Sequence, residues 1–196
     1  MRRLILLIAL VALILRIIGL QFGLPAVYNP DEVAIMARAL SFARGTLNPH
    51  NFLYPTFYFY VLFGWVGVYL AFVWVTGGVA SLAALQELYF TDPTGIYTAG
   101  RALGVACGAA GTIVLYKLGT RLFDVRVGLV SALFLAVSPL AVRDSHYVKH
   151  DVPATLAVLV AYLLIARLWQ ADEKRPPSPR PVVFAAAATG VAFSTH

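Results

Sequence analysis

The chain has 196 residues, of which 60% are hydrophobic and 12% charged, about half the ~25% charge content of soluble domains. A mean hydropathy of +0.79 leaves no polar shell for a soluble core, which excludes a water-soluble globular domain, a disordered chain and a disulfide-stapled module. Fifteen Lys and Arg against nine Asp and Glu give a net charge of +6, but the basic residues form no continuous stripe, so nucleic acid is excluded as a partner.

The fold class that remains is an all-α polytopic membrane protein, because apolar runs of ~20 residues cross a bilayer as helices. Met1-Arg2-Arg3 precedes an apolar run from Leu4 to Leu20, interrupted by Arg16. The basic start is that of a secretory signal, but no small-x-small cleavage site follows, so an uncleaved first membrane helix is predicted. Arg16, one turn from its outer end, is expected to snorkel to the interface. Residues 21–55 form the first long stretch outside the membrane. Asn29-Pro30-Asp31-Glu32 has the pattern of a helix start, with Asn as the cap, Pro at the first position and Glu three residues after the cap. The helix that follows, about Asp31 to Arg44, carries Val33, Ala37 and Leu40 on an apolar face, the type that lies on a membrane surface.

Thr56 to Val75 is apolar and aromatic, and Gly77-Gly78 separates it from a second apolar stretch, Val79 to Phe90. Tyr97 to Leu118 is a further helix, with Gly100, Gly104 and Gly108 at four-residue spacing, a face that lets a neighbouring helix approach closely. Val127 to Val142, Val152 to Trp169 and Val182 to the end are the remaining apolar runs. The single Cys107 permits no internal disulfide and no cysteine metal site.

Basic residues set the orientation. The amino terminus, Lys117 to Arg126 and Arg167 to Arg180 are the most basic segments and are expected to be cytoplasmic; the polar loop 170–181 belongs to this side. Residues 21–55 and Arg143 to Asp151 are then external. Residues 56–96 must cross the membrane an even number of times, either as a hairpin turning at Gly77-Gly78, the preferred arrangement, or not at all, lying along the interface.

This places two acidic clusters on the external face, a geometry suited to chemistry on a lipid-linked substrate whose polar head leaves the bilayer. Asp31 and Glu32 read as first-turn carboxylates or as a general base with a neighbouring carboxylate. His146 and His150 stand four apart, and with Glu32 they are weak candidates for a metal site; Pro153 disfavours helical geometry at Val152, against a shared helix face. Asp151 opens the Val152–Trp169 helix, and Lys149 and His150 beside it can bind a phosphate or simply be solvated. Arg101, one turn inside a membrane helix, needs a partner: Asp92, or a phosphate on a lipid carrier. From these residues alone a transporter and an inactive structural fragment stay open, although transporters place essential charges near the midplane and the acids here lie in surface loops.

The order of the motifs carries a resemblance. Asn29-Pro30-Asp31-Glu32, the aromatic run Tyr54-Pro55-Thr56-Phe57-Tyr58-Phe59-Tyr60, Gly100-Arg101-Ala102-Leu103, Leu118-Gly119-Thr120-Arg121-Leu122-Phe123, Ser138-Pro139-Leu140 and His146-Tyr147-Val148-Lys149-His150-Asp151 together resemble the amino-terminal part of the glycosyltransferase family 39 proteins of the GT-C superfamily. That family includes protein mannosyltransferases that use dolichyl-phosphate mannose, and lipid A aminoarabinose transferases. The resemblance implies a GT-C transmembrane helix bundle over 1–196, the front part of a longer chain. It implies an inverting enzyme of the plasma membrane, its amino terminus cytoplasmic and its active face external. The enzyme would move a sugar from a polyprenyl- or dolichyl-phosphate donor held in membrane lipid to a protein, lipid or glycan acceptor. It matches Asp31 to the catalytic base, with Glu32 alongside, and Asp151 to a functional aspartate; Arg101, Lys149 and His150 become candidates for the donor phosphate. A divalent metal ion stays open as a cofactor. One departure is Leu53-Tyr54-Pro55, where the family often has a charged residue or His-Pro-Pro.

Overall fold

The computed structural model describes residues 2–50, 54, 56–169 and 178–195; most of the expected loop 170–181, and Leu53 and Pro55 of the departure just named, lie outside the described residues. Described residues form helices and no strand. In chain order these are α1 (Arg2–Ile17), α2 (Pro30–Ser41) with a 3-10 turn Phe42–Arg44, α3 (Phe57–Val75), α4 (Leu82–Thr91), α5 (Thr94–Leu122), α6 (Val125–Val137), α7 (Pro139–Asp144), α8 (Asp151–Trp169) and α9 (Pro179–Thr195).

The helix starts follow capping chemistry. Asn29 accepts from the Asp31 amide, with Pro30 in the first turn; Asp124 accepts from Arg126 and Val127; Ser138 caps α7 ahead of Pro139. Each side chain satisfies a donor that a helix amino terminus leaves open.

At 29 residues, α5 is ~43 Å long and forms the axis of the bundle, with α1, α3, α6 and α8 packed around it and α9 on α8. Large apolar side chains such as Leu6, Val68, Phe72, Phe134 and Phe193 point outward and exposed, as a hydrocarbon surrounding requires. Three helices, α3, α5 and α8, are long and apolar enough to cross a membrane, and the protein is an integral membrane protein. α4, the return leg expected of the hairpin, has ten residues. It spans ~15 Å, half of the ~30 Å hydrocarbon core, so this leg does not complete a crossing.

Above the bundle, α2 lies across α3 and α5. Its buried face is Ile35, Met36 and Ala39, packed with Phe42 on Tyr58, Phe59 and Leu62 of α3 and Ile96, Tyr97 and Leu103 of α5. Val33 and Ala37, expected on the apolar face, are exposed. The register differs because α2 packs on protein, and Glu32 is drawn into the same buried face.

Candidate active site at the outer end of the bundle

Arg101 and Glu32 form the centre of the site. Arg101 is 1% exposed and Glu32 0%. The guanidinium donates from Nε to Glu32 Oε1 at 2.9 Å and from Nη2 to Oε2 at 2.8 Å, the two-pronged geometry that arginine alone offers a carboxylate. Nη1 donates to the carbonyls of Leu20 at 2.7 Å and Phe22 at 2.9 Å, closing the chain that leaves α1. Glu32 Oε1 also accepts from the Val148 amide at 2.7 Å. The partner of Arg101 is therefore Glu32. Asp92 instead accepts from the Thr94 amide at 3.1 Å, a bond that holds its carboxyl below the usual carboxylate range. Nor does Glu32 reach back to close a capping box, since both of its oxygens face Arg101.

This clamp joins α2, α5 and the loop before α8, and the residues next to it meet outside. Lys149 Nζ lies 2.8 Å from Asp31 Oδ2, with the carboxylate half-exposed and the ammonium largely covered. The hydrogen bond to Asp31 raises the Lys149 pKa against a smaller opposing effect of burial, so Lys149 is an ammonium at neutral pH. Lys149 lines a polar pocket of about 350 Å³ with Tyr28, Asn29, Arg143 and Asp144. Arg143 is bonded to Asp144 by two nitrogens at 3.0 and 2.9 Å.

The loop reaches this position by descending onto the glycine face of α5. A Cβ on Gly100 would sit 2.9 Å from Val148, one on Gly104 3.1 Å from the Ser145 carbonyl, and one on Gly108 2.5 Å from Arg16 Nε. The close approach expected of this face is made chiefly by the segment 145–148, whose irregular backbone is enclosed by protein as membrane depth demands.

Arg16, expected to snorkel, is completely buried. It donates to Leu135 and Ala136 carbonyls at 3.0 and 3.1 Å, and to Ser145 Oγ at 3.2 Å. Those carbonyls end α6, where Ser138-Pro139 stops the helix, so Arg16 satisfies acceptors that would be orphaned and faces the negative end of the helix dipole. Sequence reasoning missed this role. An arginine inside an apolar helix, together with a Ser-Pro break elsewhere, was the available signal.

His146 and His150 do not share a helix face, because 145–150 is not helical. His146 Nε2 is buried without a partner, and burial pushes the ring's pKa below its ordinary value, against hydrogen bonds to the backbone of Leu15 and Arg16. His150 stacks obliquely on Tyr54, with centroids 4.9 Å apart. Asp151 is exposed at the start of α8, where it favours the helix dipole, and it lines a neighbouring cleft with Arg16 and Asp144. Among the described residues no three His, Cys, Asp or Glu side chains gather to hold a metal ion.

Fold and site together define a helical integral membrane protein with a buried ion-pair clamp beneath a charged, pocketed end. A model of the dolichyl-phosphate-mannose-protein mannosyltransferase family matches residues 95–196, more than half of the chain, and the chain belongs to that family: it is a membrane glycosyltransferase of the mannosyltransferase type. No curated protein and no solved structure matches the chain. Asp31 and Glu32 precede the matched stretch, and the structure ties them to it through Arg101, Val148 and Lys149.

Proposed function

We propose that the charged end is the active site of a transferase that moves a sugar from a polyprenyl-phosphate donor to a hydroxyl of a protein, lipid or glycan acceptor. The observation that carries this is the Asp31–Lys149 pair at the edge of the polar pocket. It supplies the two things the reaction needs, a base and a cation. In this reading the acceptor oxygen attacks the anomeric carbon and its proton passes to Asp31. The bond from that carbon to the phosphate oxygen breaks on the opposite face, inverting the centre, and Lys149 takes up the charge developing on the departing lipid phosphate. His150 stands next to Lys149 for the same phosphate, and Asp151 faces the adjoining cleft, where its carboxylate can orient sugar hydroxyls. Because the Arg101 fork is occupied by Glu32 and two carbonyls, both residues act here as positioning groups that bring Asp31 and Lys149 together.

The active face is taken as external to the plasma membrane and the amino terminus as cytoplasmic. Lys117, Arg121 and Arg126, near the far end of α5 and the start of α6, support that orientation.

Asp31→Asn tests the assignment. Asn keeps the shape and the hydrogen-bonding capacity of a first-turn residue but cannot take the proton. Transfer from a polyprenyl-phosphate sugar in membranes, normalised to protein amount, falls by roughly 10²–10⁴, the usual contribution of a general base. Near-normal turnover rejects Asp31 as the base.

A further inference from the structure

Three clefts run in series from the charged end into the apolar part of the bundle, each sharing wall residues with the next. The outermost is the polar pocket described above. Its Asp144 also lines a second cleft of about 220 Å³, where Arg16 and Asp151 are the other charged residues and Leu135 and Val152 are apolar. Cys107 and Leu156 belong to that second cleft and to a third, of about 330 Å³, between α3, α8 and α9. The third is walled by groups such as Phe57, Val61, Ala157 and Val160.

Charge is sorted along this row. In the outer pocket Arg143 and Lys149 outnumber Asp144, an excess of positive charge. In the second cleft Asp144 and Asp151 outnumber Arg16, so an anion is disfavoured there. The third cleft holds no charged side chain in its wall, and apolar surface of this kind favours an apolar occupant. An occupant matching all three has an anionic head at one end and a slim apolar chain at the other.

We propose that the three clefts form one binding track for a single-chain isoprenyl phosphate, with Cys107 and Leu156 as its neck. The phosphate rests against Lys149, and the chain threads between Cys107 and Leu156 to lie among α3, α8 and α9. The neck residues determine which chains pass, because one cysteine and one leucine leave room for a single tail and none for the paired tails of a phospholipid. This inference rests on the lipid-phosphate reading above and extends it to the residues that select the lipid.

Cys107 is the chain's single cysteine, so the neck carries its own reporter. In detergent-solubilised protein at mildly alkaline pH, the rate of Cys107 alkylation by N-ethylmaleimide is measured with farnesyl phosphate, farnesol, inorganic phosphate or phosphatidylcholine added. Farnesyl phosphate slows alkylation, by roughly tenfold at ten times its dissociation constant. It acts at lower concentration than farnesol, and inorganic phosphate and phosphatidylcholine have no effect. Val160→Trp, which fills the groove beyond the neck, removes the protection and leaves the unprotected rate unchanged. No protection by farnesyl phosphate, equal protection by phosphatidylcholine, protection that survives Val160→Trp, or a thiol that never reacts each overturns the track. The two proposals fail separately. If Asp31 is not the base, Asp31→Asn retains turnover while Cys107 protection persists; if the track is wrong, protection is absent while the dependence on Asp31 stands.

Discussion

Glu32 faces Arg101 with both oxygens and the Val148 amide with one of them, so removing it leaves a guanidinium buried without its countercharge. Glu32→Ala is expected to cost about 3–5 kcal/mol, the usual penalty for breaking a buried pair from one side, read as a lowered Tm in detergent. Glu32→Leu combined with Arg101→Met removes both charges and recovers most of that stability. Transfer activity stays low in the double variant, because nothing then registers Lys149 against Asp31; full activity would make the clamp a stability device alone. His146 yields a pH prediction with a definite sign. Its folded pKa is lowered, so its contribution to stability is complete above the ordinary value of about 6.5 and is lost as pH falls through the lower folded value. Wild-type Tm therefore drops on acidification from neutral pH more than that of His146→Gln; equal slopes would assign the sensitivity elsewhere. Asp31, Glu32 and Lys149 were legible in the sequence as a charged group of the external loops. The pairing was not, because Arg101 and Glu32 are 69 positions apart and a nearer carboxylate, Asp92, competed on paper.

Helix α5 shows how far an element can be read. Four-residue glycine spacing marked a thin face, and the face is indeed where the backbone of 145–148 and Arg16 come closest. What fills it was not legible, since periodicity reports the width of a face and says nothing of the segment that meets it. The helix α2 shows the complementary limit. Its start at Asn29-Pro30 followed from local capping chemistry, whereas its buried face depended on α3 and α5, which local pattern does not contain. Gly108→Leu tests the packing: the added side chain meets Arg16 and Ser145 and displaces the loop, so Tm and transfer fall together. Gly190→Leu, with nothing within 4 Å of its Cβ position, leaves both near wild type. A tolerated Gly108→Leu would mean that the loop does not seat on α5.

For the whole molecule, the all-helical bundle was legible from composition and apolar run length, and the short α4 was not, because apolarity alone does not distinguish a crossing helix from a brief return. The orientation is open to direct measurement. In a Cys107→Ala background, Asn48→Cys reacts with an impermeant thiol reagent in intact cells and Ser178→Cys reacts only after permeabilisation; the reverse pattern inverts the topology. Arg16 carries a consequence for how the molecule is made. Its partners on α6 and at Ser145 lie 119 to 129 residues later in the chain, so α1 emerges from the ribosome long before they exist. An unaccompanied arginine near a helix end raises the cost of inserting that helix, and the first segment must wait at the interface, or beside the insertion machinery, until the later ones arrive. Biogenesis is therefore a convergence of early and late segments, and the moment Arg16 meets the end of α6 is the moment the first helix becomes committed to the membrane.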